Sequence, residues 1–185
     1  MAKYTVKTEK REQVIKMAKY SVNVYNGNLS LDETYPADTL EDAVRIATRY
    51  VSKSVTGFKQ SDYPKIFVAC INQKVGSTDK LVTYVFKDCI TGKVTKTHIG
   101  GGYVIQCNES FPLAKASTIA QARQVAYRMI TDYVNLVSID KPVNDGYEDV
   151  ATMLMYRGHN EYHEKGKEIK SYNPATGKLS SKYLY

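Results

Sequence analysis

Residues 118–134 read TIAQARQVAYRMITDYV, and residues 39–55 read TLEDAVRIATRYVSKSV. With Thr39 set on Thr118, the apolar positions of the two stretches coincide. Leu40 falls on Ile119, Ala43 on Ala122, Ile46 on Val125, Ala47 on Ala126, Val51 on Ile130 and Val55 on Val134. Arg49 also falls on Arg128. The apolar residues recur at a helical period and unsuitably for a strand, so each stretch is predicted to be an amphipathic helix. Thr39 and Thr118 are the expected N-caps, each hydroxyl accepting from an unpaired N–H of the first turn, with Asp38 and Ser117 as competitors one residue earlier. The alanines on the apolar stripe let each helix lie close to a sheet, so the stripe is read as core.

A β-like run ending in Asn precedes each helix, YSVNVYN at 20–26 and YVIQCN at 103–108. The chain therefore reads as two copies of a strand–loop–helix unit. Around them lie further runs. Residues 8–18 suggest a short helix, and KIFVACIN at 65–72, LVTYVFK at 81–87 and 94–99 suggest strands. With 103–107 these form an antiparallel meander of three or four strands. Between two of them, 88–93 is a hairpin loop in which Asp88 bonds the turn's own backbone and Gly92 takes a positive φ. The triple glycine at 100–102 permits a second tight reversal.

After the second helix, Asp145 followed by Glu148 suggests a capped short helix over 147–156. The tail repeats the hairpin chemistry: Asn173, then Thr176-Gly177-Lys178, matches Asp88 and Thr91-Gly92-Lys93. A final hairpin of about 167–172 and 179–185 follows. The expectation is an α+β fold, two strand–loop–helix repeats on an antiparallel sheet plus a C-terminal β-hairpin. Its segments are 1–63, 64–139 and 140–185, within one compact domain. Runs of strands with few interspersed helices favour antiparallel pairing.

Charge is distributed unevenly. The net charge is +7, yet residues 20–156 hold 14 Lys and Arg against 14 Asp and Glu. The excess lies in 1–19 and 157–185. No apolar run approaches the roughly 18 residues of a membrane-spanning helix, and no apolar segment follows the N-terminal lysines as in a signal peptide. A cytoplasmic protein is expected. Cys70, Cys89 and Cys107 are odd in number and widely spaced, which suits small buried side chains better than disulfides or a metal.

Catalytic signals are weak. His159 and His163 stand four apart with Glu161 and Glu164 nearby, a spacing that could share a metal on a helix. Gly158 and Gly166 bracket the segment, the first Glu of HExxH is missing, and an exposed polar loop is the preferred reading. Cys89 and His98 could be imagined as nucleophile and base, but the hairpin register sets His98 opposite Thr83, away from Cys89. Neither the triple glycine nor ITGKVT has the context of a phosphate loop. The acidic pairs Glu41-Asp42 and Glu148-Asp149 suit first turns of helices. No enzymatic activity, cofactor or metal is expected.

Tyrosine stands out, with 16 Tyr, four Phe and no Trp. A flat ring with a polar tip suits interfaces and stacking on unpaired bases. The basic tail interleaves the two residue types. The first expectation is a nucleic-acid-binding accessory protein in which Lys165, Lys167, Lys170, Lys178 and Lys182 contact phosphates and Tyr172 and Tyr183 stack on bases. No helix is rich in Arg, Asn and Gln in a way that would read a major groove, and phosphate contacts alone give no sequence specificity. The alternative is a protein-binding module, an inhibitor or assembly factor, that forms a homo-oligomer or joins a complex. A solvated, lysine-rich terminus would explain the same charges. Over 80–134, three strands followed by one helix resemble in topology the small arm-type DNA-binding domains of integrases. The compact Lys- and Tyr-rich chain is similar in composition to phage accessory proteins. No residue role is carried over from either resemblance.

Overall fold

A computed structural model describes residues 18–180, apart from 29, 57–59, 99–100, 108–111, 133–135, 144–145 and 157–158. The expected helix at 8–18 lies, but for Ala18, outside the described residues. The chain is α+β. It forms two antiparallel sheets, each carrying one helix.

The first sheet contains β1 (Tyr20–Asn26), β2 (Leu31–Ala37), β3 (Phe67–Val75), β4 (Thr78–Lys87) and β5 (Val94–Lys96), in the order β2-β1-β3-β4-β5. Helix α1 (Leu40–Val51) packs on β1, β3 and β4. The second sheet contains β6 (Tyr103–Cys107), β7 (Pro112–Ala116), β8 (Leu136–Val143), β9 (Gly146–Tyr156), β10 (His159–Glu164), β11 (Lys170–Asn173) and β12 (Lys178–Ser180). Its order is β12-β11-β10-β9-β8-β6-β7, and α2 (Ile119–Asp132) packs on β6 to β9. A 3-10 turn, Gln60–Lys65, joins α1 to β3.

Both helix caps follow the sequence. Thr39 Oγ1 accepts from Asp42 N at 3.1 Å and donates to Asp42 Oδ2 at 2.9 Å. Thr118 Oγ1 accepts from Gln121 N at 3.2 Å, while Gln121 Oε1 reaches back to Ser117 N and Thr118 N. The second arrangement is a reciprocal capping box that satisfies three N–H groups. The expected stripes are buried: Ala43, Ala47 and Val51 against β1, β3 and β4, and Ala122, Ala126 and Ile130 in the core of the second sheet. Fully burying a Val, Ile or Met in these cores contributes about 1.5–3 kcal/mol each.

The two hairpin turns also follow the sequence. Asp88 Oδ1 accepts from Ile90 N and Thr91 N, and Gly92 N donates to Asp88 O at 2.7 Å with Gly92 at φ +70. Asn173 Oδ1 accepts from Ala175 N and Thr176 N, and Gly177 N donates to Asn173 O at 2.8 Å with Gly177 at φ +66. The C-terminal hairpin is β11 and β12 paired antiparallel.

Several expectations are corrected. The loop expected before each helix contains a strand, β2 or β7, paired antiparallel with the strand before it. Each carries a proline, Pro36 or Pro112, which an edge strand tolerates because half its N–H groups need no partner. The expected helix at 147–156 is strand β9, paired with both β8 and β10. Ala151 and Met153 are buried while Thr152 and Leu154 are less so, a period of two. Two flanking strands complete its backbone hydrogen bonds, and that pairing outweighs local helix propensity. Glu148 and Asp149 therefore lie on a strand and not in a helical first turn. The meander also stops at β5. After Gly101 and Gly102, both with positive φ, the chain crosses to the second sheet. The three-strand-plus-helix outline at 80–134 is thus divided between two sheets. The passage from one sheet to the other comes between β5 and β6.

Asp88 joins the sheets. It is 2% exposed, and its Oδ2 accepts from Lys115 N at 2.8 Å on β7. Next to it, Cys89 N donates to Leu113 O at 2.9 Å. Lys115 Nζ bonds the carbonyl of Lys96 at 3.1 Å. Gly102 sits where β6 starts against the end of β7, and a Cβ there would stand 2.5 Å from Ala116 O.

Asp88→Ala removes the acceptor of three N–H groups and is expected to cost about 2–4 kcal/mol by chemical denaturation. Asp88→Asn keeps the turn through its amide oxygen, as Asn173 does, but turns an NH2 group toward Lys115 N, so it loses the bond across the boundary alone and its cost is smaller. Equal stability of wild type and Asp88→Ala would remove Asp88 as the joint. Gly102→Ala combines a positive φ with a backbone clash and is expected to lower stability by about 1–3 kcal/mol.

Candidate nucleic-acid interface

The predicted site residues lie at the far edge of the second sheet. Lys165 and Lys167 are exposed in the turn between β10 and β11, Lys178 is exposed at the start of β12, and Lys170 is half-buried at the start of β11. Glycine at 166, with φ +71, allows that turn to close with Lys167 N donating to Glu164 O. Lys167 Nζ also pairs with Glu164 Oε1 at 2.7 Å, an exposed pair worth little that competing phosphate can displace. Lys182 and Tyr183 lie outside the described residues.

Tyr172 does not join them. It is 4% exposed and belongs to the core under α2, with its ring centroid 5.7 Å from that of Tyr127. A base cannot stack on a ring already covered, so Tyr172 leaves the set of stacking residues. The reason is alternation. Tyr172 shares a sheet face with Tyr162, which is fully buried, and Arg123 of α2 lies 5.2 Å over the Tyr162 ring. Burial pushes both hydroxyls above their ordinary range.

Tyrosines elsewhere behave alike. Among the ten whose side chains are described, every one is buried or half-buried. Tyr35 and Tyr50 converge on the Glu33 carboxylate between β2 and α1, with ring centroids 4.9 Å apart. A second group lies where the sheets meet. Tyr84 and Cys70 are register partners on the face of the first sheet that α1 leaves free. Tyr147 of β9 stacks on Tyr84 at 6.0 Å and meets His98 at 5.5 Å. Cys70 Sγ donates to Asn72 Oδ1 at 3.3 Å. Burial pushes the Cys70 thiol up to about 11 and the Tyr84 hydroxyl up to about 12, and raises that of Tyr147 further. On the same side of the second sheet, Gln106 Nε2 donates to the buried Asp140 Oδ2 at 2.7 Å.

His98 and His163 have polar side-chain neighbours. His98 N donates to Thr83 Oγ1 at 3.4 Å and its Nδ1 stands 2.8 Å from Thr97 Oγ1, the neighbourhood that the hairpin register predicts. Residues 159–164 form a strand, so positions 159 and 163 lie about 13 Å apart along the backbone and lack the helical spacing a shared metal needs. His163 Nε2 stands 3.0 Å from Glu161 Oε2. Among the described residues, no three of His, Cys, Asp and Glu group as metal ligands, and no helix is long and apolar enough to cross a membrane.

No protein-family model, curated protein or solved structure matches the chain.

The cluster between the sheets sets an alkaline limit. Cys70, Tyr84 and Tyr147 have folded-state pKa values raised above their unfolded ones, so the neutral forms stabilise the fold. That contribution is complete below about pH 8, where an unfolded thiol and phenol hold their protons. It is lost as the pH rises through about 11 and then 12. Circular dichroism between pH 8 and 12 should show stability falling over this window, with Tyr84→Phe giving a shallower decline. A flat profile to pH 12 would contradict it.

Proposed function

We propose that the chain is a non-enzymatic nucleic-acid-binding protein that grips the phosphate backbone with the lysines around its C-terminal hairpin. The observation that carries this reading is the exposure of Lys165 and Lys167 in the turn before β11 and of Lys178 across from the far end of that strand, with half-buried Lys170 between them. The body of the chain between 20 and 156 contributes no net charge, so these lysines are not compensated by the sequence as a whole. Polyanion contacts release counterions and need only exposed cations. Burial of Tyr172 takes one of the two proposed stacking rings out of the reading and shifts its weight to phosphate. The alternative, a protein-binding module, draws on edge strand β2, whose Leu31 is 55% exposed. The buried and half-buried positions of the described tyrosines weaken its other support, a tyrosine surface.

The reading extends to the architecture. The two halves are inferred to be copies of one unit, a hairpin, a helix and two further strands. Support comes from order and register. Helix α1 follows β1–β2 and α2 follows β6–β7, and the orders β2-β1-β3-β4 and β7-β6-β8-β9 correspond. Tyr20 pairs with Ala37 as Tyr103 pairs with Ala116. Val22 pairs with Ile71 as Ile105 pairs with Ile139. The register shift after Ile71 on β3 matches the shift after Ile139 on β8. On this reading, β11 and β12 are an addition to the second copy, and the basic edge belongs to that addition.

Fluorescence anisotropy with single- and double-stranded DNA and RNA across a salt series tests the function. Deleting 158–185 would strip Tyr162 and Tyr172 from the core, so surface substitutions are the appropriate change. Joint replacement of Lys165, Lys167 and Lys178 by Ala should weaken binding on every sequence. On duplex DNA it should also make the slope of log K against log salt shallower, by about 0.9 for each phosphate that the variant leaves unneutralised. An intact chain that binds none of these ligands at low salt would transfer the weight to a protein partner. A triple variant with unchanged slope would remove the hairpin from the site.

A further inference from the structure

Helix α2 meets strand β10 through polar atoms that make no hydrogen bond. Arg123 lies 5.2 Å over the ring of the fully buried Tyr162, yet Arg123 Nε and Tyr162 OH both lack a partner. Arg123 offsets part of the rise that burial causes in the Tyr162 hydroxyl and in that of Tyr172, so the guanidinium stands close to both phenols. Asn160 precedes Tyr162 by two residues on the same face of β10, and its Oδ1 is also buried without a partner. The fold gains nothing from such atoms, since each has given up water without replacement. Several together mark a place for a group that the chain does not supply.

Charge around these atoms favours an anion. Lys170 is the register partner of Tyr162 on β11, so it projects from the same sheet face, and it is half-buried. Neither Arg123 nor Lys170 has an ion pair among the described residues. The carboxylate that acts on the Tyr162 hydroxyl, Glu164, is already taken by Lys167 Nζ at 2.7 Å. Two cations thus flank one phenol. A phosphate monoester suits them in charge, because it carries about two negative charges at pH 7. It also suits them in shape. The Arg fork takes two of its oxygens, the phenol donates to the third, and the Asn160 amide, turned over, offers its NH2. A phosphodiester has two chain continuations, and a fully buried phenol beneath a helix leaves no path for the second.

We propose that Arg123, Tyr162 and Lys170 form a binding site for a phosphate monoester between α2 and strands β10 and β11. The phosphorylated end of a nucleic-acid strand is the source that joins this site to the reading above. Lys165 and Lys167, in the turn that leads to Lys170, then hold the phosphates that follow. A free phosphate compound is the other source, and the site itself does not depend on the nucleic-acid reading.

The test uses the intact chain as wild type, Arg123→Ala, Arg123→Lys and Tyr162→Phe. Calorimetry measures binding of inorganic phosphate. Anisotropy compares one single-stranded DNA oligonucleotide with a 5′-phosphate, with a 3′-phosphate and with hydroxyl ends. A terminal phosphate should tighten wild-type binding by about 10- to 100-fold, the worth of one or two charge-assisted hydrogen bonds. Arg123→Ala should abolish that gain, and Arg123→Lys should keep part of it through charge alone. Every variant should bind the hydroxyl-ended strand as wild type does. Tyr162→Phe should reduce the gain by about 10-fold with a melting temperature unchanged or raised, because the hydroxyl it removes has no partner. A lowered melting temperature for Tyr162→Phe would give that hydroxyl a structural bond and overturn the site, as would a gain that survives in Arg123→Ala. Equal binding of all three strands without binding of inorganic phosphate overturns the site and leaves the backbone reading standing. Arg123-dependent binding of inorganic phosphate with no gain from a terminal phosphate upholds the site with a free phosphate compound as its source. If the strands also fail to bind at low salt, the nucleic-acid reading falls while the site stands. Absence of all binding overturns both.

Discussion

Two sheets with separate cores hold together because one buried carboxylate has every lone pair it needs occupied. Asp88 uses Oδ1 to close its own turn and Oδ2 to accept the backbone N–H of Lys115 across the boundary. A charge removed from water is costly unless several donors surround it, and donors to an ionised acceptor give the stronger class of hydrogen bond. The Asp88 side chain and the Cys89 N–H therefore fix the end of β4 to the backbone of β7, an edge strand that would otherwise expose unpaired groups. With that edge fixed, Tyr147 can reach Tyr84 and His98 on the face that α1 leaves free.

A comparison of the two like turns shows why one docks and the other stays on the surface. Residues 88–93 and 173–178 share the same backbone and side-chain bonds. The first places Cys89 after its acid, and the Cys89 N–H bonds Leu113 O. The second has Pro174 at that place, with no N–H to give, and a neutral amide where Asp88 has its charge. Loss of both features withholds the tail turn from an edge strand, while the closing lysine, Lys93 or Lys178, is exposed in both turns.

Local signals in the sequence read correctly where local chemistry decides the outcome. Thr39 and Thr118 cap, Asp88 and Asn173 turn the chain, and the alanine stripes meet their sheets. The failures come where a distant partner decides. Strands β2 and β7 contain proline and carry little alternation, and they exist because β1 and β6 offer ladders to pair with. Residues 147–156 have helical spacing as well as strand alternation, and β8 and β10 on either side settle the ambiguity. Sheet membership of β6 is invisible in the sequence because Gly101 and Gly102 permit either a hairpin or a crossing. For the site, charge distribution points to exposed lysines, but composition does not tell which face of β11 the sheet buries.

The choice of tyrosine over tryptophan and phenylalanine follows from these boundaries. A half-buried position needs an apolar ring toward the core and a polar tip toward a neighbour or water. Tyr35 and Tyr50 meet that need at Glu33, and Tyr84 and Tyr147 meet it in the polar joint between sheets. A chain with two small cores has much boundary relative to its volume, because surface grows faster than the core it encloses as domains shrink. Tyrosine abundance is then a consequence of dividing 185 residues between two sheets. The ring content that suggested a stacking surface serves the fold.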